Sequence, residues 1–238
     1  MTTSSESQIL VVVPAHNESK SIGGVVTRIR ALGLQVVVVD DGSCDGTAQV
    51  ARGAGARVLS LPINLGVGGA LRCGFRFAIE NGYDVVVQCD ADGQHPPEHI
   101  SSLVNALADS HVLLVIGSRF RSSDNQLLPS VTRRIPMRVM AAVASRVTMT
   151  ELTDATSGFR AIRRPLLDKF ASNLPAHYLG DTFEALCRVG RYGYGVAEVG
   201  VPMAKRQHGV SSASSLFAIG MIVKAMFGVL FGKHDRIS

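Results

Sequence analysis

Blocks of four or five consecutive apolar residues recur along the chain, each followed by a polar, glycine-rich loop and then by a stretch with helical spacing. The first block, Ile9–Val13, shows no polar alternation, as expected of a strand buried on both faces of a parallel sheet. It ends in Pro14-Ala15-His16-Asn17-Glu18-Ser19, and a helix is predicted to follow to about Leu32, with Ser19 or Ser21 near its cap. Val36–Val39 is the second strand. Its loop, Asp40-Asp41-Gly42-Ser43-Cys44-Asp45-Gly46-Thr47, is acidic and turn-rich and leads into a helix near Ala48–Gly53. Arg57–Leu61 is a weaker third strand, and Asn64-Leu65-Gly66-Val67-Gly68-Gly69-Ala70 enters a helix that runs through Gly82. A strand starting at Val85, a helix over Ile100–Leu107 and a strand over Val112–Ile116, ending at Gly117-Ser118-Arg119, complete the regular part. Alternating strands and helices predict an α/β fold with right-handed crossovers and helices on both faces of the sheet. In such sheets ligands sit outside the C-terminal strand ends, where all the acidic and glycine-rich loops fall.

Beyond Arg119 the regularity breaks. Residues 120–156 intersperse Arg121, Arg133, Arg134, Arg138 and Arg146 with Met137, Met140, Val143 and Val147. Pro136 can open a helix here, with one apolar and one basic face. It reads either as a surface helix packed on the sheet or as a basic lid touching membrane phosphates. A helix is expected from about Pro165, and another from Asp181-Thr182-Phe183-Glu184 to about Val189. A strand over Val196–Val201 follows, and then a basic polar loop, Lys205–Ser212. Leu216–Gly232 is apolar on nearly every side, with one charge at Lys224. Its length is at the bottom of the spanning range, and the central lysine makes crossing costlier. The expectation is a helix in the membrane interface, against packing on the domain or on a second copy. The predicted organisation is a frayed tail over residues 1–8, one domain over 9–215, and this helix over 216–232.

The densest chemistry lies at Asp90-Ala91-Asp92-Gly93-Gln94-His95-Pro96-Pro97-Glu98. In an extended chain rising about 3.3 Å per residue, Asp90 and Asp92 share one side, roughly 6.6 Å apart at Cα, and Gln94 continues the parity. Two carboxylates and an amide oxygen make an incomplete shell for an oxygen-preferring cation, Mg²⁺ or Mn²⁺, to be completed by phosphate oxygens and water. The plainer reading is an acidic loop facing water.

Composition narrows the classes. The 238 residues, 46% apolar and 18% charged, suit one large domain. Twenty-four Lys and Arg against nineteen Asp and Glu give a net charge of +5, which suits anionic partners. No aromatic-rich nucleic-acid motif accompanies the charge, and no nucleic-acid partner is expected. Cys44, Cys73, Cys89 and Cys187 are far apart, which argues against a zinc site or a disulfide framework and for a reducing compartment. Residues 1–8 carry no apolar signal core, so a cytoplasmic location is expected. Gly66, Gly68 and Gly69 read as tight strand-to-helix packing, because no Gly-Lys-Ser or Gly-Lys-Thr follows; a dinucleotide fingerprint is also absent after the first strand.

Taken together, the loops describe a nucleoside-diphosphate site. Asp40 and Asp41 can accept from ribose hydroxyls or a base N–H, and Glu18 faces the same crevice. At this point the chain resembles the family 2 glycosyltransferases of GT-A fold, a Rossmann-like, mostly parallel sheet, in the dolichol-phosphate mannosyltransferase and polyprenyl-phosphate sugar synthase branch. The resemblance rests on Val-Pro-Ala-His-Asn-Glu (13–18), Asp-Asp-Gly-Ser-x-Asp-Gly-Thr (40–47), Asn-Leu-Gly-x-Gly-Gly-Ala (64–70) and Asp-Ala-Asp-Gly-Gln-His-Pro-Pro-Glu (90–98). It continues in Gly-Ser-Arg (117–119), Ser-Gly-Phe-Arg (157–160) and Arg-Gln-x-Gly-x-Ser-Ser (206–212). It implies that Asp90, Asp92 and Gln94 hold the metal and that Pro14, Glu18, Asp40 and Asp41 hold the nucleoside. It also implies that Arg119, Arg133 or Arg134, Ser157 and Arg206 meet the acceptor's phosphate or the donor's pyrophosphate. Val67 stands where many relatives carry a lysine, and His16 replaces a common Tyr or Leu.

The expected activity is metal-dependent, inverting transfer of a sugar from a UDP-, GDP- or dTDP-linked donor to a polyprenyl phosphate. The expected setting is the cytoplasmic face of a membrane, with a homo-oligomer open. A phosphate acceptor is already an anion and needs positioning rather than deprotonation. A hydroxyl acceptor would need a general base, for which Asp181 or Glu184 could serve. A nucleotidyltransferase and a non-catalytic membrane scaffold are the readings from other classes. The first should carry a glycine-rich basic loop after the first strand, and the second has no use for the Asp-x-Asp pair.

Overall fold

The computed structural model describes residues 8–121, 131–174 and 180–204, and of residues 131–133 and 180–181 the backbone alone. In order, the elements are β1 (Ile9–Ala15), α1 (Ile22–Ala31), β2 (Gln35–Asp40), α2 (Thr47–Gly53), β3 (Arg57–Ser60), α3 (Val67–Glu80) and β4 (Val85–Gln88). They continue with α4 (Ile100–Asn105), β5 (Val112–Ser118), α5 (Val131–Thr148), β6 (Arg160–Arg163), α6 (Leu166–Asn173), α7 (Ala185–Arg191) and β7 (Gly195–Gly200). A π-helical turn, Gly180–Glu184, leads into α7.

Seven strands form one sheet in the order β3-β2-β1-β4-β6-β5-β7. The pairings β3–β2, β2–β1, β1–β4 and β5–β7 are parallel, while β6 runs antiparallel between β4 and β5. The apolar pattern explains the core directly. In β1, Leu10 and Val12 face Leu71 and Phe75 of α3, while Val11 and Val13 face Ile22, Val26 and Ile29 of α1. Both faces are covered, so the strand needs no polar side. Each such valine contributes about 1.5–3 kcal/mol by leaving water.

Two expectations are corrected here. β6 was not among the predicted strands: Arg160-Ala161-Ile162-Arg163 is short and bounded by arginines, and it is held as a strand by pairing on both edges rather than by an apolar run. Pro136 lies inside α5 rather than opening it. The ring removes one helical hydrogen bond, and burial of Met140, Ala141 and Ala144 in the following turns holds the helix nonetheless. The two-faced character of α5 is as expected: Met137, Val143 and Val147 pack on the core, and Arg138 and Arg146 are exposed. Ile135 and Val139 are exposed on the same outer side. Among the described residues, no helix is long and apolar enough to cross a membrane. The basic loop 205–212, with Arg206, and the helix expected over 216–232 lie outside the described residues.

Candidate active site

The C-terminal ends of β1, β2, β4 and β5 open on one edge of the sheet. There the loop after β1 is laced to the loop after β2. Asn17, in the left-handed region at φ 56°, donates its backbone N–H to Ser43 Oγ at 2.9 Å, and its side-chain oxygen accepts Cys44 N–H at 2.9 Å. Glu18 N–H donates to Thr47 Oγ1 at 2.8 Å, and Ser19 N–H to Asp45 at 3.2 Å. Ser21 is the N-cap residue of α1, but its hydroxyl donates to the Glu18 carboxylate at 2.6 Å instead of capping the helix. Desolvation raises the Asp45 carboxyl, but hydrogen bonds from Thr47 and Ser19 outweigh it and hold the group at about 2. Its stabilising contribution is present above the ordinary value of 3.8 and is lost only as pH falls through about 2.

Asp40 and Asp41 are both buried. Asp40 accepts Ser43 N–H at 3.3 Å, and Asp41 accepts Leu65 N–H at 2.7 Å, which ties the loop before α3 to the end of β2. Gly42 sits at φ 68°, and a Cβ there would lie 2.8 Å from Asn64 N and from Ile63 C. Two backbones therefore touch at this glycine. Pro14 lies within β1 opposite Val39, and His16 Nδ1 is 2.8 Å from the Asp41 carbonyl oxygen. Of the glycines after Asn64, Gly66 takes φ 78° at the entry to α3 and a Cβ on Gly69 would meet Leu65 Cβ at 2.6 Å, so these two serve the turn into the helix rather than strand-to-helix packing.

The Asp-x-Asp segment is arranged differently from the extended chain the parity argument assumed. β4 ends at Gln88, and residues 91–93 turn, with Gly93 at φ 78°. Asp92 is buried and its Oδ1 accepts Gln94 N–H at 2.9 Å. A tight turn, and not strand alternation, sets the two carboxylates. Asp90 is the more exposed, its side chain 39% accessible. His95, buried and stacked on Phe159, accepts the Asp90 backbone N–H on Nδ1 at 3.1 Å, and the same nitrogen is 3.5 Å from Asp90 Oδ2. On the other side, a Cβ at Gly158 would stand 3.0 Å from Asp90 Oδ1. The carboxylate is thus held between an imidazole and a bare backbone.

The donor chemistry fits a hard cation. Asp90, Asp92 and Gln94 offer carboxylate and amide oxygens, the donors such a cation prefers; burial, and then the neighbouring charges of Asp90 and Asp92, push the Cys89 thiol well above its ordinary range. Among the described residues no group of three or more His, Cys, Asp and Glu could hold a metal unaided. Asp90, Asp92 and Gln94 would by themselves be fewer donors than a full shell. Gly158→Ala is expected to push the Asp90 carboxylate aside and weaken Mn²⁺ binding about tenfold, the scale of losing a ligand-orienting contact, with little change in melting temperature. Titration calorimetry with Mn²⁺ checks this, and an unchanged affinity would show that Asp90 is not held there for a cation.

The arginines divide. Arg119, just past β5, donates Nε–H to Asp154 Oδ2 at 2.7 Å. Arg121 pairs with Glu198 of β7 at 3.0 Å. Both carboxylates are fully buried. Arg134 is half-buried on α5, and the side chain of Arg133 is outside the described residues. Ser157 is buried and its Oγ accepts Phe159 N–H at 3.2 Å, as a turn-forming hydroxyl does. Glu184 is bound by Arg188 through hydrogen bonds of 2.7 and 3.2 Å; the side chain of Asp181 is not described. Short segments join the carboxylate turn to Arg119. Val201 N–H donates to Ser118 O at 2.9 Å and Ala204 N–H to Gln94 O at 3.0 Å. The stretch from Asp154 to Gly158 likewise runs from Arg119 to Asp90.

His95, Asp154, Gly158 and Glu198 received no role from the sequence alone. Glu198 had a usable signal, a charge amid the apolar and small residues of a strand; Asp154 had none, since a buried aspartate in a loop reads like an exposed one.

Comparison with known proteins shows the family. Residues 10–170 match the profile of glycosyl transferase family 2. The chain is 32% identical to the undecaprenyl-phosphate mannosyltransferase of Micrococcus luteus over 93% of its length and 92% of that protein's. It is also 32% identical to the polyprenol monophosphomannose synthase of Mycolicibacterium smegmatis, over 95% of this chain and 89% of that one. Its fold is similar to the crystal structure of Mycobacterium tuberculosis glucosyl-3-phosphoglycerate synthase in complex with phosphoglyceric acid. That likeness has a TM-score of 0.70 at 25% identity and covers 94% of this chain and 79% of the other. A crystal of the same synthase with Mn²⁺, uridine diphosphate and phosphoglyceric acid gives a TM-score of 0.72 at 24% identity, over 97% and 81%. The chain is a glycosyltransferase and belongs to glycosyl transferase family 2.

Proposed function

We propose that the protein transfers a sugar, with inversion, from a nucleoside-diphosphate sugar to a polyprenyl phosphate. The observation that carries this reading is the placement of the Asp90–Asp92 carboxylate turn and Arg119 on one sheet edge, joined by two short segments. Two of the relatives named above are an undecaprenyl-phosphate mannosyltransferase and a polyprenol monophosphomannose synthase, names that join a sugar to a polyprenyl phosphate. In this reading Asp40 and Asp41 each spend one oxygen on a backbone N–H and keep the other for the nucleoside. Pro14 and Glu18 form the wall beside them. Asp90, Asp92 and Gln94 would hold Mg²⁺ or Mn²⁺, which when bound neutralises charge on the departing diphosphate. Arg119, Arg133 or Arg134, Ser157 and Arg206 serve the phosphates.

The acceptor oxygen is already anionic, so the chain's part is to orient it and to offset its charge. A hydroxyl acceptor fits less well at Glu184, whose carboxylate already takes two hydrogen bonds from Arg188. The exposed Ile135 and Val139 beside Arg138, and the apolar stretch 216–232 beyond the core domain, suit work at the cytoplasmic face of a membrane.

The test is transfer from radiolabelled UDP-, GDP- and dTDP-sugars, with Mn²⁺, to a short polyprenyl phosphate. Label in the lipid phase, absent when polyprenol replaces its phosphate, is the expected result; transfer to the alcohol, or pyrophosphate release from a nucleoside triphosphate, would refute it. Within the same assay Arg206→Ala should raise the KM for the lipid phosphate about tenfold or more, as loss of a charged contact does, with nucleoside-diphosphate affinity unchanged. Loss of donor affinity instead would move Arg206 to the pyrophosphate.

A further inference from the structure

Two acids buried behind Arg119 lie outside the donor and metal groups. Asp154 and Glu198 each have a side chain with no solvent exposure. Leaving a buried carboxylate without partners is costly, so such groups persist where hydrogen bonds and a cation satisfy them. Here they are satisfied in sequence. Glu198 accepts Thr153 N–H at 2.9 Å, Thr153 Oγ1–H at 3.1 Å and Asp154 N–H at 2.8 Å, besides pairing with Arg121. Asp154 in turn accepts Thr156 N–H at 3.1 Å and its hydroxyl at 2.9 Å on Oδ1, which leaves Oδ2 for Arg119. β7 thus fixes the 153–154 backbone, and the Thr156 turn fixes the Asp154 rotamer.

The contact to Arg119 is made at Nε, on one edge of the guanidinium. Among the described residues no acceptor engages its two terminal nitrogens. A planar guanidinium pinned at Nε can rotate little, and its outer N–H groups keep one orientation for a two-oxygen anion. We infer that Asp154, anchored by Glu198, is a positioning residue that presets Arg119 as a bidentate receptor for the acceptor's phosphate. It lowers the ordering cost of binding without touching substrate. The inference rests on the proposed use of a phosphate acceptor and adds to it the groups that set acceptor affinity.

Asp154→Asn keeps the shape and an oxygen for the Thr156 turn but removes the charge facing Arg119. It should raise the KM for a short polyprenyl phosphate about tenfold, as removal of an orienting partner does, while kcat at saturating acceptor and the dissociation constant for the nucleoside diphosphate stay within about twofold of wild type. Thr156→Val, which loses only one hydroxyl contact, is the milder variant should Asp154→Asn fold poorly. It should shift the same KM in the same direction by less. Arg119→Ala separates the two ideas. If it raises the acceptor KM and neither Asp154→Asn nor Thr156→Val does, the positioning role is wrong while the acceptor site stands. If Arg119→Ala leaves that KM unchanged, Arg119 does not serve the acceptor and both fall. A matching loss of nucleotide affinity in Asp154→Asn would show general distortion and would also overturn the inference.

Discussion

Asp92→Asn is expected to lower turnover by roughly 100- to 1,000-fold, the scale of removing one group that stabilises developing charge, and to abolish measurable Mn²⁺ binding. The amide keeps an oxygen for the Gln94 N–H, so the turn survives. It is a cleaner change than alanine, because Asp92 is buried rather than on the surface. Circular dichroism and melting temperature should match wild type, while calorimetric Mn²⁺ titration and steady-state rates report the loss. Wild-type activity that persists in EDTA would end the metal role for this turn.

Gly42→Ala is expected to be the most damaging single methyl in the donor loops. The residue sits at φ 68°, where a side chain costs about 1–2 kcal/mol. The new carbon would stand 2.8 Å from Asn64 N and from Ile63 C, and backbone cannot swing away as a side chain can. Overpacking of that kind adds about 1–3 kcal/mol. For a chain of this length the sum lowers the melting temperature by roughly 5–15 °C. Because Asp41 holds Leu65 across the same contact, nucleoside-diphosphate affinity should fall with it. Scanning calorimetry with and without UDP and GDP measures both effects; an unchanged melting temperature would mean that the two loops separate without cost.

The parts of the fold legible in the sequence are those where burial is uniform. β1, β2, β4 and β5 are covered on both faces, so their apolar runs mark them without ambiguity. β6 escaped because its strand character comes from its neighbours: Arg160 is buried with its guanidinium on the Ser157 and Thr182 carbonyls, a placement that no run of residues encodes. The candidate site divides the same way. Asp90, Asp92 and Asp40-Asp41 stand at strand ends and could be found by position. The turn that sets Asp92, and the His95 and Gly158 walls around Asp90, depend on contacts between segments far apart in the chain.

The reversed direction of β6 has a consequence for the order in which the chain can become whole during synthesis. β4 and β5 are made early, yet they are not neighbours; the strand that must lie between them, pairing with both, starts only at Arg160. Until it arrives, the nascent sheet has two unsatisfied edges where its centre will be, exposed to wrong pairing of β4 with β5. A fragment ending near residue 150 would carry every donor-loop motif and the Asp-x-Asp turn, but neither the Gly158 wall for Asp90 nor the Phe159 ring that His95 stacks on, and no filled sheet. The chemistry-bearing first half is therefore not a separable module, and splitting or fusing this protein between β5 and β6 would break the sheet at its middle.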